Sequence, residues 1–276
     1  MAHILIIGCG AIGQHVAINL IAQGHQVTGL KRTPPQTQNG ITYFTADITQ
    51  ADTLKGLNEH YDLLLFIVSA SDRSEASYHD IYETGLTNVL TTLPTTPCFF
   101  ISSTSVYGEN SGAWVNEDSP TNHIELTSQF IVSAEQRVTA AHPDNVIIRF
   151  SGIYGAGRHY LLTIAQFSPE VQRTPPYYTN RIHQQDCVNS LLFLINKRLS
   201  NQPLAPCYLA SDNAPAPMWE VMSWLTKQMN CPAPTEAPAK NPATSNKRCD
   251  NQRLKDLGYT FSYPSYQEGY REQLND

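Results

Sequence analysis

Three glycines near the N-terminus have the spacing of a phosphate-binding turn. Gly8, Gly10 and Gly13 form G-x-G-x-x-G directly after the apolar run His3–Ile7. The first glycine permits a tight turn, the second admits a pyrophosphate against the backbone, and the third lets a helix approach the strand. The helix that follows adds N–H donors and a partial positive charge. We expect a dinucleotide to bind at Gly8, Gly10, Ala11, Ile12 and Gly13. A glycine turn kept for packing alone is the alternative.

The residues after the next apolar run indicate which dinucleotide binds. An NAD site usually places Asp or Glu roughly 20 residues after the glycines, where it accepts a hydrogen bond from the ribose 2′-hydroxyl. No carboxylate occurs before Asp47, and Lys31 and Arg32 stand at the expected place. Two cations suit a 2′-phosphate, so the sequence favours NADP(H). A solvated basic turn, with NAD(H) bound without a carboxylate, stays open.

The elements that would position these residues alternate between strand and helix. Short apolar runs predict strands, and runs with helical periodicity lie between them. The alternation predicts an α/β fold, a doubly wound parallel sheet of the Rossmann type over residues 1–155. The predicted strands are His3–Ile7, Gln26–Leu30, Ile41–Thr45, Asp62–Val68, Cys98–Ser102 and Asn145–Phe150, and the predicted helices are Ala11–Gln23, Ala76–Leu93 and Ser128–Ala141, with a short one near 50–58.

Residues 156–276 are predicted to form a small C-terminal lobe, packed on the first domain and completing a substrate cleft. Residues 181–199 have a strand-to-helix pattern, and Met218–Met229 has an amphipathic helical pattern. The Pro/Ala-rich stretch 231–242 predicts an irregular loop. A short helix with a glycine stop is expected over Arg253–Tyr259.

Composition narrows the function classes. The 276 residues carry a net charge of -6, and none of the seven lysines lies between Lys55 and Lys197. A nucleic-acid groove needs clustered cations, so we expect no nucleic-acid partner. The apolar run Leu63–Val68 is far shorter than the roughly 20 residues of a membrane span. Without a basic leader or paired cysteines, we expect a cytoplasmic protein with reduced thiols, no metal site and no membrane association.

Further segments resemble the extended and atypical short-chain dehydrogenase/reductases, which include sugar-nucleotide epimerases and dehydratases. The resemblance extends in order over residues 3 to about 190. It rests on Ile101–Gly108, Asn116–Pro120, Arg149–Arg158 (with Ala156 where proline is usual), Asn180–Asp186 and the dipeptide Asp47–Ile48. It implies that Asp47 and Ile48 contact adenine. It implies further cofactor contacts at Val68, Ser69, Ala70, Phe150 and Ser151.

The same resemblance shows which catalytic residues of the family this sequence lacks. Ser103 matches the catalytic hydroxyl, but Thr127 and Ile131 stand where the family has its Tyr-x-x-x-Lys pair. In the family, that lysine lowers the pKa of the tyrosine so that the tyrosine can exchange a proton. This sequence has no lysine between Lys55 and Lys197, so it lacks the family lysine. Thr104 and Ser105 replace the Asp-Glu pair of dehydratases, which argues against a 4,6-dehydratase.

Several residues remain candidates for substrate contact. Thr104, Thr127, Arg158 and His183 match positions near the expected cleft, and Arg158 and Arg181 are able to clamp an anion. Asp186 and His183 are interpreted first as a structural pair at a helix start. His123 is either a proton donor or a surface histidine.

Two functions from different classes follow. The first is an NADP(H)-dependent oxidoreductase or epimerase acting on a carbonyl or sugar-like small molecule, with Ser103 as the catalytic hydroxyl. The second is a non-catalytic NADP(H)-binding regulator or scaffold. Resemblance also implies a homodimer through Ala76–Leu93 and Ser128–Ala141, where Phe130, Ile131, Val132, Ala134 and Val138 would serve as core or interface.

Overall fold

A computed structural model of the chain describes residues 1–37, 39–57, 60–122, 124–239 and 245–275. Its main feature is a seven-stranded parallel sheet with helices packed beside it. In sheet order the strands are Cys207–Ala210, Val146–Phe150, Cys98–Ser103, Leu63–Phe66, His3–Ile7, Gln26–Lys31 and Thr42–Thr45. The predicted Rossmann-type fold is therefore confirmed, and the six predicted strands all form.

The strands form where the sequence is continuously apolar because side chains on both faces of the sheet are buried. Ile4 to Ile7 and Leu63 to Phe66 are fully buried. His3–Ile7 lies between Gln26–Lys31 on one side and Leu63–Phe66 on the other, so the chain order reverses there. In open α/β sheets a ligand binds at such a switch point, beyond the carboxyl ends of the strands.

Helical segments form at each of the predicted places, and two of them differ in type from the prediction. Ala11–Ala22 stops before Gly24, whose φ is +86°, and Leu126–Ala141 begins two residues earlier than expected. The predicted helix 76–93 is three consecutive helical segments: Glu75–Tyr78, a π-helical stretch His79–Gly85, and Leu86–Thr92. The short helix expected near 50–58 is a single 3₁₀ turn, Ala51–Leu54.

A seventh strand, Cys207–Ala210, was not predicted. The helix Gln184–Leu199 precedes it, and the Ile147 and Ser151 N–H groups donate to the carbonyls of Pro206 and Ala210. Four residues after a proline carry little local signal, so the neighbouring strand decides this element. The chain divides into two compact units, Met1–Val106 with Ile124–Arg149 and Val188–Tyr208, and Tyr107–His123 with Phe150–Cys187 and Leu209–Asp276. The division at residue 155 stays a prediction.

The second unit is built from two-stranded pairs and short helices. Its buried cluster includes Tyr154, Leu162, Val221, Leu225 and Tyr270. The strand pairs are Gly152–Tyr154 with Arg181–His183, Ala113–Val115 with Lys247–Cys249, Glu170–Gln172 with Thr235–Ala237, and Tyr178–Thr179 with Ala216–Pro217. The helices are Tyr160–Ala165, Met218–Gln228, Gln252–Asp256 and Tyr266–Asn275.

One sequence expectation for this unit needs correction, and one helix was not predicted. The stretch predicted as an irregular loop contains the strand Thr235–Ala237, which forms by pairing with Glu170–Gln172. The helix Tyr266–Asn275 was missed because its buried side is narrow and consists of Tyr266, Gly269 and Tyr270. In both cases long-range partners, not local sequence, define the element.

Candidate functional site

The three glycines of the turn differ in how closely other protein atoms approach them. Gly8 has φ of +89°, and a Cβ there would lie 2.6 Å from the carbonyl oxygen of Ile67. A Cβ on Gly13 would lie 2.9 Å from the carbonyl oxygen of Gly8. At Gly10 the nearest protein atom would be 3.9 Å away. Packing therefore explains Gly8 and Gly13 but not Gly10, whose exposed backbone leaves room for another molecule.

A cavity of about 710 Å³ lies over the carboxyl ends of the first four strands, entirely within the first unit. Most of the predicted cofactor residues line it: Gly8, Gly10, Lys31, Arg32, Asp47, Ile48, Val68 and Ser69. Ala11, Ile12, Gly13, Ala70, Phe150 and Ser151 are not among its lining residues. Ala11, Ile12 and Gly13 form the first turn of the helix after the glycines, while Phe150 and Ser151 belong to the second unit.

The cavity wall also includes residues that the sequence did not single out. Their positions are contiguous with predicted ones, except for those of the helical segment Glu75–Thr92. They are Ile7, Cys9, Leu30, Thr33, Ala46, Thr49, Ile67, Ser71, Ser77, Asp80 and Ile81. Ser77, Asp80 and Ile81 lie on the helical segment that follows the strand Leu63–Phe66. Because ligands bind at the carboxyl ends of the strands, that position in the sequence is the signal that would have indicated these three residues.

The basic end of the cavity follows the second strand. Lys31 is the last residue of Gln26–Lys31, and Arg32 is exposed just after it. The next residue is Thr33, so no carboxylate ends this strand. Cys9 contributes no competing charge, because burial raises the pKa of its thiol. Its Sγ lies 3.8 Å from the Tyr43 hydroxyl.

The third strand ends in a carboxylate that is held by its own loop. Asp47 Oδ1 accepts from the N–H and the hydroxyl of Thr49, at 3.0 and 2.8 Å. The Asp47 carbonyl accepts from the Thr53 hydroxyl at 2.8 Å. These bonds form because the short Asp side chain readily accepts from the residue two positions later in such a turn, here Thr49. The turn fixes both Asp47 and the neighbouring Ile48 at the cavity wall.

Hydroxyl groups cluster at the end of Cys98–Ser103. The half-buried Ser103 accepts at Oγ from the Ser105 N–H at 3.1 Å, which leaves the Ser103 hydroxyl proton to donate. Thr104 is buried in the 3₁₀ turn that follows. Thr127 is half-buried in the first turn of Leu126–Ala141, and Ile131 is buried one turn later. An apolar side chain thus occupies the position aligned with the family lysine.

In the second unit His183 and Asp186 have structural contacts. The His183 ring lies 3.8 Å from that of Tyr263 and 5.2 Å from that of Tyr154, and burial lowers the pKa of the imidazole. Asp186 is fully buried and accepts from the Tyr259 hydroxyl and the Ser262 and Tyr263 N–H groups, each at 2.8 Å.

The two arginines considered as anion clamps differ. Arg158 is exposed in a turn closed by its own N–H to the Gly155 carbonyl. Arg181 is 4% exposed, so it is a buried cation and not a surface residue. Arg181 Nη2 donates to the Thr179 hydroxyl at 2.8 Å. His123 lies outside the described residues.

Comparison with known proteins identifies the family. The model of the NAD dependent epimerase/dehydratase family matches residues 4–198, which is more than half of the chain. The chain belongs to this family. The NAD dependence in the family description, together with the cavity and glycine turn above, supports a nicotinamide dinucleotide as cofactor.

Individual relatives agree over nearly the whole chain. A solved structure from Methylobacillus flagellatus, assigned as an NAD-dependent epimerase/dehydratase, is 36% identical with a TM-score of 0.84, covering 99% of this chain and 98% of that one. Protein YeeZ of Escherichia coli K12 is 24% identical over 96% of this chain and 97% of its own. The UDP-glucose 4-epimerase of Thermus thermophilus, solved with NAD, shares the family fold at 17% identity and TM-score 0.77, covering 99% and 98%.

The described residues contain neither a helix that could span a membrane nor a cluster that could hold a metal ion. No helix in that part of the chain has the length and apolar character needed to cross a membrane. Over the same residues, no group of three or more His, Cys, Asp or Glu side chains is arranged to hold a metal ion.

Proposed function

We propose that this family member is an NADP(H)-dependent oxidoreductase or epimerase that acts on a carbonyl or sugar-like small molecule. The observation that carries the proposal is the open side of Gly10, because a turn kept only for packing would have no use for a glycine there. The residues around the 710 Å³ cavity fit a dinucleotide: a glycine turn at a helix start, cations at one end and apolar side chains along the wall.

Preference for NADP(H) is supported by the charge at the end of the second strand. Lys31 and Arg32 both line the cavity, and no carboxylate follows that strand. A 2′-phosphate gains charge-assisted hydrogen bonds from such cations, whereas a 2′-hydroxyl gains far less. The two carboxylates in the wall, Asp47 and Asp80, come from other elements.

Calorimetric titration with NADPH and NADH tests this preference. We expect NADPH to bind at least about tenfold more tightly, a difference of about 1.4 kcal/mol. Arg32→Ala should lose most of that difference and leave NADH binding nearly unchanged. Lys55→Ala is the matched control, because Lys55 is an exposed cation paired with Asp52 and does not line the cavity. Tighter binding of NADH by the wild type would overturn the assignment.

The chemistry of this proposal divides between cofactor and chain. A bound nicotinamide would exchange a hydride with the substrate. The chain would hold the dinucleotide by Gly8, Gly10 and the cations, while Ser103 donates its hydroxyl hydrogen to a substrate oxygen. Thr104, Thr127, Arg158 and His183 remain proposed substrate contacts. Arg158, being exposed, is the most accessible of them to an anionic group.

The regulator remains the second proposed function, and burial of Ile131 favours it. An apolar, buried side chain at the lysine position removes the usual means of activating a tyrosine. A nucleotide-sensing protein should bind NADPH and NADP⁺ with affinities that differ by at least about tenfold. Equal affinities, or robust turnover with a carbonyl substrate, would exclude it.

We also propose a homodimer, on a narrower surface than the sequence suggested. Of the five apolar residues considered in Leu126–Ala141, Ile131, Ala134 and Val138 are buried within the first unit's own core. Phe130 and Val132 are half-buried and remain for an interface. Sedimentation at micromolar concentration tests the proposal, and a monomer there would contradict it.

A further inference from the structure

The helical segment Glu75–Thr92 contacts Ile48, one of the residues that line the cavity. A Cβ on Gly85 would lie 2.7 Å from Ile48 Cδ1, so the glycine lets this segment pack closely against the Ile48 side chain. Asn88 Nδ2 donates to the Ile48 carbonyl at 2.9 Å. These two contacts hold the helical segment beside the loop that begins at Asp47. The walls contributed by the two elements are therefore neighbours.

The part of the helical segment that reaches the cavity is its π-helical stretch. Asp80 and Ile81 lie in His79–Gly85 and both line the cavity. Single π turns inside helices are frequent at functional sites because they redirect side chains. The Asp80 side chain is 63% exposed, and its Oδ1 lies 3.7 Å from His79 Nδ1. A carboxylate is thus available in this part of the cavity wall.

The position of the adenine follows from the positions of the pyrophosphate and the 2′-phosphate of a bound dinucleotide. The pyrophosphate belongs on the glycine turn, and the 2′-phosphate belongs on Lys31 and Arg32. The part of the wall contributed by the loop after the third strand and by the π-helical stretch includes two apolar side chains, Ile48 and Ile81, and the carboxylates of Asp47 and Asp80. Apolar side chains suit the faces of a purine ring. Ionised carboxylates only accept hydrogen bonds, so they require donors on the ring edge.

We infer that Asp80, together with Asp47, accepts hydrogen bonds from the exocyclic amino group of the cofactor's adenine. That amino group has two N–H donors, one for each carboxylate. Both bonds from Thr49 fall on Asp47 Oδ1, so Oδ2 takes neither of them. A base with an oxo group at the same position would present an acceptor to two acceptors, and it would be rejected. This inference rests on the proposed function, because it assumes that a dinucleotide binds in the cavity.

The test compares NADPH with its hypoxanthine analogue, in which an oxo group replaces the 6-amino group. Calorimetry at pH 8 measures the affinity for each of the two ligands. We expect the wild type to bind NADPH at least about tenfold more tightly than the analogue. In Asp80→Ala and Asp80→Asn that ratio should fall at least about threefold. Removing one negative charge strengthens binding of both phosphorylated ligands alike, so this effect cancels in the ratio.

Asp72→Asn is the matched control. Asp72 is an exposed carboxylate that accepts from the Ser74 N–H, precedes the same helical segment and does not line the cavity. Its substitution changes the net charge equally and should leave the ratio unchanged. An unchanged ratio in both Asp80 variants, with NADPH still bound, would overturn the inference and leave the proposed function intact. If the wild type binds neither NADPH nor NADH, the inference and the proposed function are both overturned.

Discussion

Arg149 and Glu135 form a buried two-point ion pair within the first unit. Arg149 Nε donates to Glu135 Oε1 at 2.9 Å, and Nη2 donates to Oε2 at 2.6 Å. The Ser102 hydroxyl also donates to Oε1, at 2.6 Å. The group thereby joins the strand that ends at Ser103, the helix Leu126–Ala141 and the strand Val146–Phe150.

Breaking this pair from one side should be costly. Arg149→Met leaves the Glu135 carboxylate buried without its counter-charge, and we expect a loss of about 3–5 kcal/mol in the free energy of unfolding. Arg149→Met combined with Glu135→Leu should recover part of the loss. Arg137→Met is the comparison, because the Arg137–Glu83 pair is more exposed and should cost about 1 kcal/mol or less. Urea denaturation measures all four proteins, and a small loss in Arg149→Met would contradict the argument.

The three glycines of the turn should respond differently to alanine. Gly8→Ala introduces a Cβ that meets the Ile67 carbonyl at a positive φ, so the free energy of unfolding should fall by at least about 1–2 kcal/mol. Gly10→Ala meets no protein atom closer than 3.9 Å and should leave stability nearly unchanged. Its affinity for NADPH should nevertheless fall at least about tenfold. Thermal unfolding and calorimetric titration separate the two effects, and normal NADPH affinity in Gly10→Ala would argue that the turn serves packing only.

Removal of the Ser103 hydroxyl should slow turnover. In an NADPH oxidation assay with a panel of carbonyl compounds, we expect Ser103→Ala to lower the rate at least about tenfold, within the range of a lost proton or hydrogen-bond donor. Ser111→Ala is the control, because Ser111 donates to Glu109 in an exposed loop. Unchanged turnover in Ser103→Ala would refute the role given to this residue.

Stability should decrease between about pH 4 and pH 7 because of Asp212. Burial raises the pKa of this carboxyl from 3.8 to about 7, and among the described residues its Oδ2 has no hydrogen-bond partner. Over that range the folded state holds a proton that the unfolded state has released. Rising pH therefore favours unfolding until the folded group also ionises. The contribution is complete below pH 4 and lost above pH 7.

Asp212→Asn provides the check. Asparagine keeps an acceptor for the Ala214 N–H and does not ionise in this range. Denaturation series from pH 4 to pH 8 should show the variant gaining on the wild type as pH rises, with the largest gap at pH 8. A pH-independent difference between the two proteins would show that Asp212 titrates normally.

The sheet and the glycine turn were predictable because their signals are local. Continuous apolar runs such as Leu63–Phe66 and a glycine motif directly after His3–Ile7 carry their own evidence in a few neighbouring residues. The strand Cys207–Ala210 and the helix Tyr266–Asn275 carry little, and both form against partners distant in sequence. The same limit explains why Asp80 was missed, since its place in the cavity depends on a π-helical stretch.

The sequence alone determined the dinucleotide turn, the cations Lys31 and Arg32, and the absence of a lysine between Lys55 and Lys197, because residue identity and spacing settle these. Only the tertiary structure decided which of these residues line one cavity, that Gly10 has an open side, and that Ile131 faces the core. Those properties depend on distances between elements that are far apart in the sequence. The spacing of residues along the chain does not give those distances.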